Sequence, residues 1–307
     1  MIDARRRSAD FAADWAESGP VRRAAADFAD GGDEATLIAR ARQLLRDPGW
    51  LEAMLFPAVA ALARDPFFEP PFRVDRDAVR TGAILFENDR VRIACTHWSA
   101  RALARRGAPS AVVVPGRLTV SAYVHAGEAL LERWEAGVAG DDFRAASAPP
   151  ARRLKPVRLH DGRVVVQDGR HRAHRIVRAS RDLLSVGVTL LAGQAAIARE
   201  YRRADGRLSR VAMLDARPAR SAMLLTLLRE LGAAGAGECF RDASHDPAFF
   251  LRWEAMRQWL AHDAAAALPR LADMAHGDPH PEVRAAAAGM LPAVRRRLDG
   301  ERLPCPA

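Results

Sequence analysis

The stretch that decides the fold is Val164-Val165-Val166-Gln167-Asp168-Gly169-Arg170-His171-Arg172-Ala173-His174-Arg175-Ile176-Val177. Three valines lead into Asp168-Gly169, and basic and apolar residues alternate after that pair. Asp-Gly between two strand-like runs is typical of a β-hairpin, because glycine tolerates the positive φ of a tight turn. The pattern predicts a hairpin with Arg170, His171 and His174 at or just after its tip.

Further strand-like segments surround this predicted hairpin, from about residue 82 to about residue 203. Residues 83–86 and 91–95 flank the turn Asn88-Asp89, which indicates a second hairpin. Residues 129–134 fit a strand and a helix equally well. Many short strands, with turns roughly every ten residues, predict a β-sandwich or a small barrel.

Helical patterns lie on both sides of the β region. Residues 8–63 place apolar side chains three and four positions apart, with Asp47-Pro48 as the predicted cap and first residue of a new helix. A second apolar stripe begins at Met223 and ends before Gly232. The predicted fold class is therefore α+β, and the predicted divisions are a helical segment at 1–72, a β domain at 73–206 and a helical domain at 207–307.

The chain has 307 residues, a formal net charge of +9 and a single lysine, Lys155. Arginine suits phosphate and carboxylate partners, although acidic residues interspersed throughout favour a compositional origin for the charge. Cys95, Cys239 and Cys305 lie far apart, which predicts a reducing compartment and offers no zinc spacing. No segment reaches the ~18 apolar residues of a membrane helix. We therefore expect a cytoplasmic protein with no membrane partner.

A weak repeat marks the C-terminal helical region. Asp246-Pro247 is followed by Arg252, and Asp278-Pro279 is followed at the same offset by Arg284. The second copy resembles the signature of HEAT-type repeats, a likeness that extends over about residues 221 to 298. In that family Asp and Arg side chains connect neighbouring repeats. The resemblance implies a domain that binds another protein.

The β region resembles the cupins, most clearly at residues 87–93 and 162–177. The resemblance implies a double-layered β barrel, often with a metal held by a His-x-His pair, a Glu and a later His. The expected His-x-His pair is missing, and His125 and Glu128 lack the needed spacing. Because fewer than three protein ligands hold a metal weakly, we expect a metal-free cupin with no cofactor.

Residues 156–172 also resemble the Asp-Gly-x-His/Arg-Arg box of the ParB/sulfiredoxin-like fold. That family uses the box, including its arginine, to bind a nucleotide phosphate at the start of a helix. The resemblance requires a helix that begins near Arg172. The flanking strand and helix patterns favour the cupin instead.

Tyr123, His125 and Trp134 are candidate ligand-binding residues, because a barrel interior is the usual ligand site in such folds. Glu132 and Glu135 are predicted to line the same interior. Packing in the core is the alternative role for Tyr123 and Trp134.

Arg170, His171 and His174 complete the set of candidate ligand-binding residues. Arg170, together with Arg172 and Arg175, suits a carboxylate or a phosphate. His171 and His174 would share one face of a helix and could then bind a metal, but would face opposite sides of a strand. A solvent-facing basic surface is the alternative for all five residues.

The sequence contains no phosphate loop, dinucleotide fingerprint or hydrolase nucleophile motif. We therefore expect a non-catalytic binding protein, with a β domain for a peptide or a small acidic ligand and helices that dock a protein partner. One alternative is a metal-dependent cupin enzyme, either an oxygenase or an isomerase. The other is nucleotide or nucleic-acid binding through the arginine-rich hairpin.

Overall fold

The computed structural model describes residues 2–302 except 31, 108, 141–142, 215 and 234, so Cys305 lies outside the described residues. The helices are α1 (Ile2–Ala16), α2 (Gly19–Asp27), α3 (Glu34–Leu45), α4 (Pro48–Arg64), α5 (Ala100–Arg105), α6 (Ala216–Glu230), α7 (Ala236–Ala243), α8 (Phe249–His262), α9 (Ala264–Gly277) and α10 (Pro281–Arg302). The strands are β1 (Arg73–Arg76), β2 (Arg80–Glu87), β3 (Val91–Trp98), β4 (Ala111–Val114), β5 (Leu118–His125), β6 (Leu130–Glu135), β7 (Arg152–Arg158), β8 (Arg163–Asp168), β9 (Arg172–Arg178), β10 (Leu183–Leu190), β11 (Ile197–Arg202) and β12 (Leu208–Met213).

The chain divides into two compact units. The β unit contains Met1–Gly137, Pro150–Ala195 and Arg199–Arg210, and the helical unit contains Val138–Pro149, Ala196–Ala198 and Val211–Ala307. The first four helices thus belong to the same unit as strands β1 to β10. The predicted boundaries at 72/73 and 206/207 stay predictions.

The β unit is built on two facing antiparallel sheets. One sheet has the strand order β1-β2-β3-β10-β5-β8, the other contains β7-β6-β9, and a small third sheet is β12-β11-β4. From β3 onward the chain repeatedly crosses between layers, so strands that are adjacent in a sheet lie far apart in sequence. This is the double-sheet arrangement of a jelly roll, the architecture that includes cupins. The predicted cupin-like β-sandwich is confirmed at this level.

Helices α2, α3 and α4 cover the outer face of the six-stranded sheet. Alternate strand residues, including Ile93, Val120 and Val188, form one buried cluster with Phe28 and Leu44 of these helices. Each such side chain contributes roughly 1.5–3 kcal/mol when it leaves water. The helices thereby bury the apolar face of the sheet, and the more polar face points into the barrel.

The predicted hairpin at Asp168-Gly169 is wrong. Strand β8 pairs with β5 while β9 pairs with β6, so the turn connects the two sheets. Gly169 does not have a positive φ. Glycine is required there for close approach, because a Cβ would lie 2.5 Å from the carbonyl oxygen of Arg117. Paired backbone hydrogen bonds hold this contact, from Gly169 N to Arg117 O and from Gly116 N to Gly169 O.

Several other local predictions are confirmed. Strands β2 and β3 form the hairpin around Asn88, whose side chain accepts hydrogen bonds from the backbone of Arg90 and Val91. Asp47 caps α4 by accepting from Trp50 N. The ambiguous segment 129–134 becomes strand β6.

The ParB/sulfiredoxin-like alternative fails on secondary structure. Its box requires a helix beginning near Arg172, but Arg172–Arg178 is strand β9. Residues 172–178 pair residue by residue with β6, apart from one irregularity near Leu130. The nucleotide site of that family therefore has no structural counterpart at this position.

In the helical unit, the two copies of the sequence repeat make the same hydrogen bonds. Arg252 donates to the carbonyls of Asp246 and Pro247, and Arg284 donates to those of Asp278 and Pro279. Arg252 also forms two hydrogen bonds with the buried carboxylate of Asp278. Burial alone would raise the pKa of Asp278, but the hydrogen bonds from Arg252 and His280 N outweigh it and hold the pKa below its usual value.

We expect Gly169→Ala to destabilise the protein by about 1–3 kcal/mol, because the new Cβ collides with backbone that is fixed by hydrogen bonds. Urea denaturation measures the effect. Gly82→Ala is the matched control, since a Cβ on this strand glycine meets its nearest atom at 3.7 Å. Equal stability of the two variants would contradict the close-approach argument.

We expect Arg252→Ala to lower the free energy of unfolding by about 3–5 kcal/mol, because it leaves the Asp278 carboxylate buried without its cation. Arg257→Ala removes an exposed ion pair with Glu254 from the same helix and should cost about 0–1 kcal/mol. Urea denaturation of both variants tests the difference. Similar losses of stability in the two variants would show that the buried Arg252–Asp278 pair contributes no more than an exposed ion pair.

Candidate ligand-binding cavity

A cavity of about 670 Å³ lies inside the β unit. Because side chains alternate along a strand, the residues next to the buried outer ones point inward. Small polar side chains from the three central strands of the large sheet therefore line the cavity: Thr96, Thr119, Ser121, Ser185 and Thr189. Gly187 lies among them, and the hydroxyls of Thr119 and Thr189 are 3.1 Å apart. One wall of the cavity thus presents hydroxyl groups.

Tyr123 and Gln167 extend this polar wall. The Gln167 amide nitrogen donates to the Tyr123 hydroxyl over 3.4 Å. Burial raises the pKa of Tyr123, and the bond from Gln167 offsets only part of this rise. The Tyr123 hydroxyl is therefore neutral at physiological pH and can donate a hydrogen bond to a ligand.

Positive charge dominates the cavity lining. Among the described residues that line it are Arg80, Arg106, Arg117 and Arg175, against a single carboxylate, Asp77. Arg80 donates to Asp77 over 3.0 Å, so this carboxylate is already engaged. The lining therefore carries a net positive charge and is electrostatically complementary to an anion.

Arg106 and Arg175 both line the cavity and carry like charges. Burial lowers the pKa of Arg175, and the positive charge of Arg106 lowers it further. Arg175 donates to the carbonyl of Ala111. The Glu132 carboxylate acts in the opposite direction and raises the pKa of Arg175, but it also forms ion pairs with Arg153 and Arg203 at 2.6 and 3.2 Å. An anion bound between Arg106 and Arg175 would relieve their repulsion.

His174 lines the cavity from β9. Burial, followed by repulsion from Arg133, Arg172 and His171, lowers its pKa to about 4. The imidazole is therefore neutral at physiological pH, and can donate one hydrogen bond and accept another.

The described residues that line the cavity do not form the metal site of a cupin. His174 is the one imidazole among the described lining residues, and the lining carboxylate, Asp77, is held by Arg80. Within the described parts of the chain, no group of three or more His, Cys, Asp or Glu is placed to hold a metal ion. A three-ligand site of the kind that the resemblance implies cannot be assembled from these side chains.

The structure brings two of the six candidate residues, Tyr123 and His174, to the cavity wall. His125 is exposed at the end of β5. Trp134 is buried in an apolar cluster with Ala136 and Tyr201. These two positions lie outside the cavity lining.

Arg170 and His171 lie at the turn between the sheets, also outside the lining. Arg170 binds Asp168, and it forms two hydrogen bonds with Glu34 of α3, at 2.7 and 3.0 Å. These bonds raise the pKa of Arg170. His171 lies 3.7 Å from Asp168. This cluster connects the sheet to the covering helices, and its arginine is already occupied by carboxylates.

The cavity residues that the sequence analysis missed come from three separate segments: Arg80, Arg106 and Arg117. The sequence does contain a pattern that predicts the hydroxyl-lined wall of the cavity, since hydroxyl residues alternate with apolar ones in Leu118–His125 and Leu183–Leu190. That alternation indicates a strand with a polar inner face. The arginines carry no comparable local signal, because the barrel brings them together from distant positions.

No family model matches this sequence, and no curated protein matches it either. Among solved structures, the chain is similar to a 7S globulin of Momordica charantia at 13% identity, with 43% of this chain and 35% of that chain covered and a TM-score of 0.27. It is also similar to the ectoine synthase of P. lautus at 14% identity, with 38% and 67% covered and a TM-score of 0.24.

A cupin domain of Bordetella pertussis Tohama I is similar at 11% identity, with 38% of this chain and 97% of that chain covered and a TM-score of 0.24. The globulin match spans about a third of the globulin's own length. TM-scores this low carry no argument about fold or activity. The jelly-roll assignment rests on the strand order alone.

Within the described residues, none of the helices combines the length and the apolar character needed to span a bilayer. The predicted cytoplasmic location stays a prediction.

We expect His174 to titrate near pH 4, which NMR of the imidazole protons would show. Since its pKa is lower in the folded chain than its usual 6.5, the unfolded chain binds the proton first. The stability that neutral His174 contributes is thus present above about pH 6.5 and is lost as the pH falls toward 4, by at most about 1.4 kcal/mol per pH unit. His174→Gln should remove that part of the pH dependence. A His174 pKa near 6.5 would contradict burial in the cavity wall.

Proposed function

We propose that the β unit binds a small anionic ligand that carries hydroxyl groups. The observation that carries the proposal is a cavity lined by four arginines beside a wall of hydroxyl side chains, where the one carboxylate among the described lining residues, Asp77, is already engaged by Arg80. Arginine binds carboxylate and phosphate through charge-assisted hydrogen bonds, and hydroxyl and amide side chains match hydroxyls of the ligand. An acidic or phosphorylated sugar has both kinds of group.

The size of the cavity supports a small molecule over a peptide. Ligand pockets for small molecules measure about 300–1,000 Å³, and this one measures about 670 Å³. The arginine-rich turn is a weaker candidate for nucleic acid, because Arg170 and Arg172 are engaged by Glu34, Asp168 and Glu135. The described residues do not supply a metal-ligand set, which argues against the alternative of a metal-dependent oxygenase or isomerase.

We further propose that the helical unit is a HEAT-type array that docks a protein partner. Its support is the shared hydrogen-bond pattern of Arg252 and Arg284, and the buried Arg252–Asp278 pair that connects the two copies. Helix α6 carries exposed apolar side chains at Met223, Leu224, Leu227 and Leu231. Exposed apolar helix faces of this kind mark protein interaction sites.

Isothermal titration with glucose 6-phosphate and with glucuronate tests the ligand proposal. We expect saturable binding of at least one of them, and a loss of about tenfold or more in Arg106→Gln and in Arg175→Gln, because a hydrogen bond to a charged group contributes about 1.5–3 kcal/mol. Arg42→Gln, an exposed arginine on α3, is the control and should bind like the wild type.

Two results would contradict this proposal. One is a failure of the wild-type protein to bind either probe, and the other is equal affinity of the Arg175 variant and the wild type. Enzymatic turnover of a bound probe would contradict the predicted non-catalytic role.

A further inference from the structure

Helix α5 borders a second hollow of about 450 Å³ in the β unit. Its lining consists of Ala78, Ser99, Arg101, Ala102, Arg105 and Arg106. Arg106 lines both this hollow and the barrel cavity. The two spaces therefore share one lining arginine.

The charges of α5 are not compensated within the described parts of the chain. The side chains of Arg101, Arg105 and Arg106 form no hydrogen bond or ion pair with a described residue, and no carboxylate lines the hollow. Arg101 and Arg105 are one turn apart, a spacing at which like charges destabilise a helix. A cation near the N-terminus of a helix is also unfavourable.

These arginines are not needed to form the helix. Ser99 caps α5 by accepting from Ala102 N, and Asp182 accepts from Ala100 N at 2.8 Å. The Asp182 carboxylate also contacts His97 at 3.0 Å, so it is already engaged. Arg101, Arg105 and Arg106 are all exposed, so they form a basic patch that the packing of the chain does not require, and an anion bound in the hollow would neutralise it.

We infer that the ligand of the β unit carries two anionic groups, the first held by Arg106 and Arg175 at the barrel cavity and the second by Arg101 and Arg105 in the hollow beside α5. The inference rests on the proposed function and narrows its ligand class to bis-anionic, hydroxyl-bearing small molecules, of which a sugar bisphosphate is one. The hydroxyl wall between the sheets favours a small molecule over a nucleic acid, whose backbone would reach only the outer arginines.

Titration of the full chain with glucose 6-phosphate and with glucose 1,6-bisphosphate tests this inference. We expect the bisphosphate to bind about tenfold more tightly. The double variant Arg101→Gln/Arg105→Gln should remove that advantage while it leaves the affinity for the monophosphate within about twofold. The matched control is Arg42→Gln/Arg46→Gln, an exposed pair with the same spacing on and just after α3, which should change neither affinity.

The outcomes separate this inference from the proposal on which it rests. Equal affinity for the two probes, with a loss of binding in Arg175→Gln, would overturn the second anion position and leave the cavity proposal standing. Absence of binding of either probe would overturn both. Binding of a DNA oligonucleotide that falls steeply with salt, and that is lost in the α5 double variant, would assign the hollow to a polyanion surface instead.

Discussion

The burial of one face of the six-stranded sheet by the N-terminal helices is the constraint on which the rest of the structure depends. Phe28 and Leu44 pack against Ile93, Val120 and Val188, so the sheet obtains its hydrophobic core on the outside of the barrel. Polar contacts fix the same interface, through the bonds from Arg170 to Glu34 and from Asn88 to the carbonyl of Phe28. The inner face of the sheet does not have to form the hydrophobic core, so it can carry hydroxyl groups and arginines.

A barrel interior lined by cations is costly unless something compensates the charge. Arg80 has Asp77, but burial and the neighbouring Arg106 both act against the charge of Arg175. The buried carboxylate of Glu132 offsets part of this effect, but it is shared with Arg153 and Arg203. Replacement of buried ionic groups by apolar residues is often neutral or stabilising, so packing alone does not require these arginines. The lining is thus better explained by recognition of an anion than by stability.

Local patterns were enough to predict most of the elements. The helices before residue 64, the Asn88 hairpin and the cap at Asp47 all depend on neighbouring residues, and the structure confirms them. Long-range pairing was not predictable in this way: Asp168-Gly169 has the sequence of a hairpin, but tertiary contacts with Arg117 turn it into a connection between sheets. Tyr123 was predicted to line the barrel interior and does so, whereas His174 was predicted near a hairpin tip and lies in the cavity wall. Arg80, Arg106 and Arg117 were not predicted, because only the fold brings them together.

We propose that the cavity holds an anion between Arg106 and Arg175. Anomalous diffraction tests this directly, with crystals grown without sulfate or phosphate and then soaked in selenate, an oxyanion of similar shape. We expect a selenium peak within hydrogen-bonding distance of both guanidinium groups. Selenate bound only at arginines on the outer surface, with none in the cavity, would contradict it.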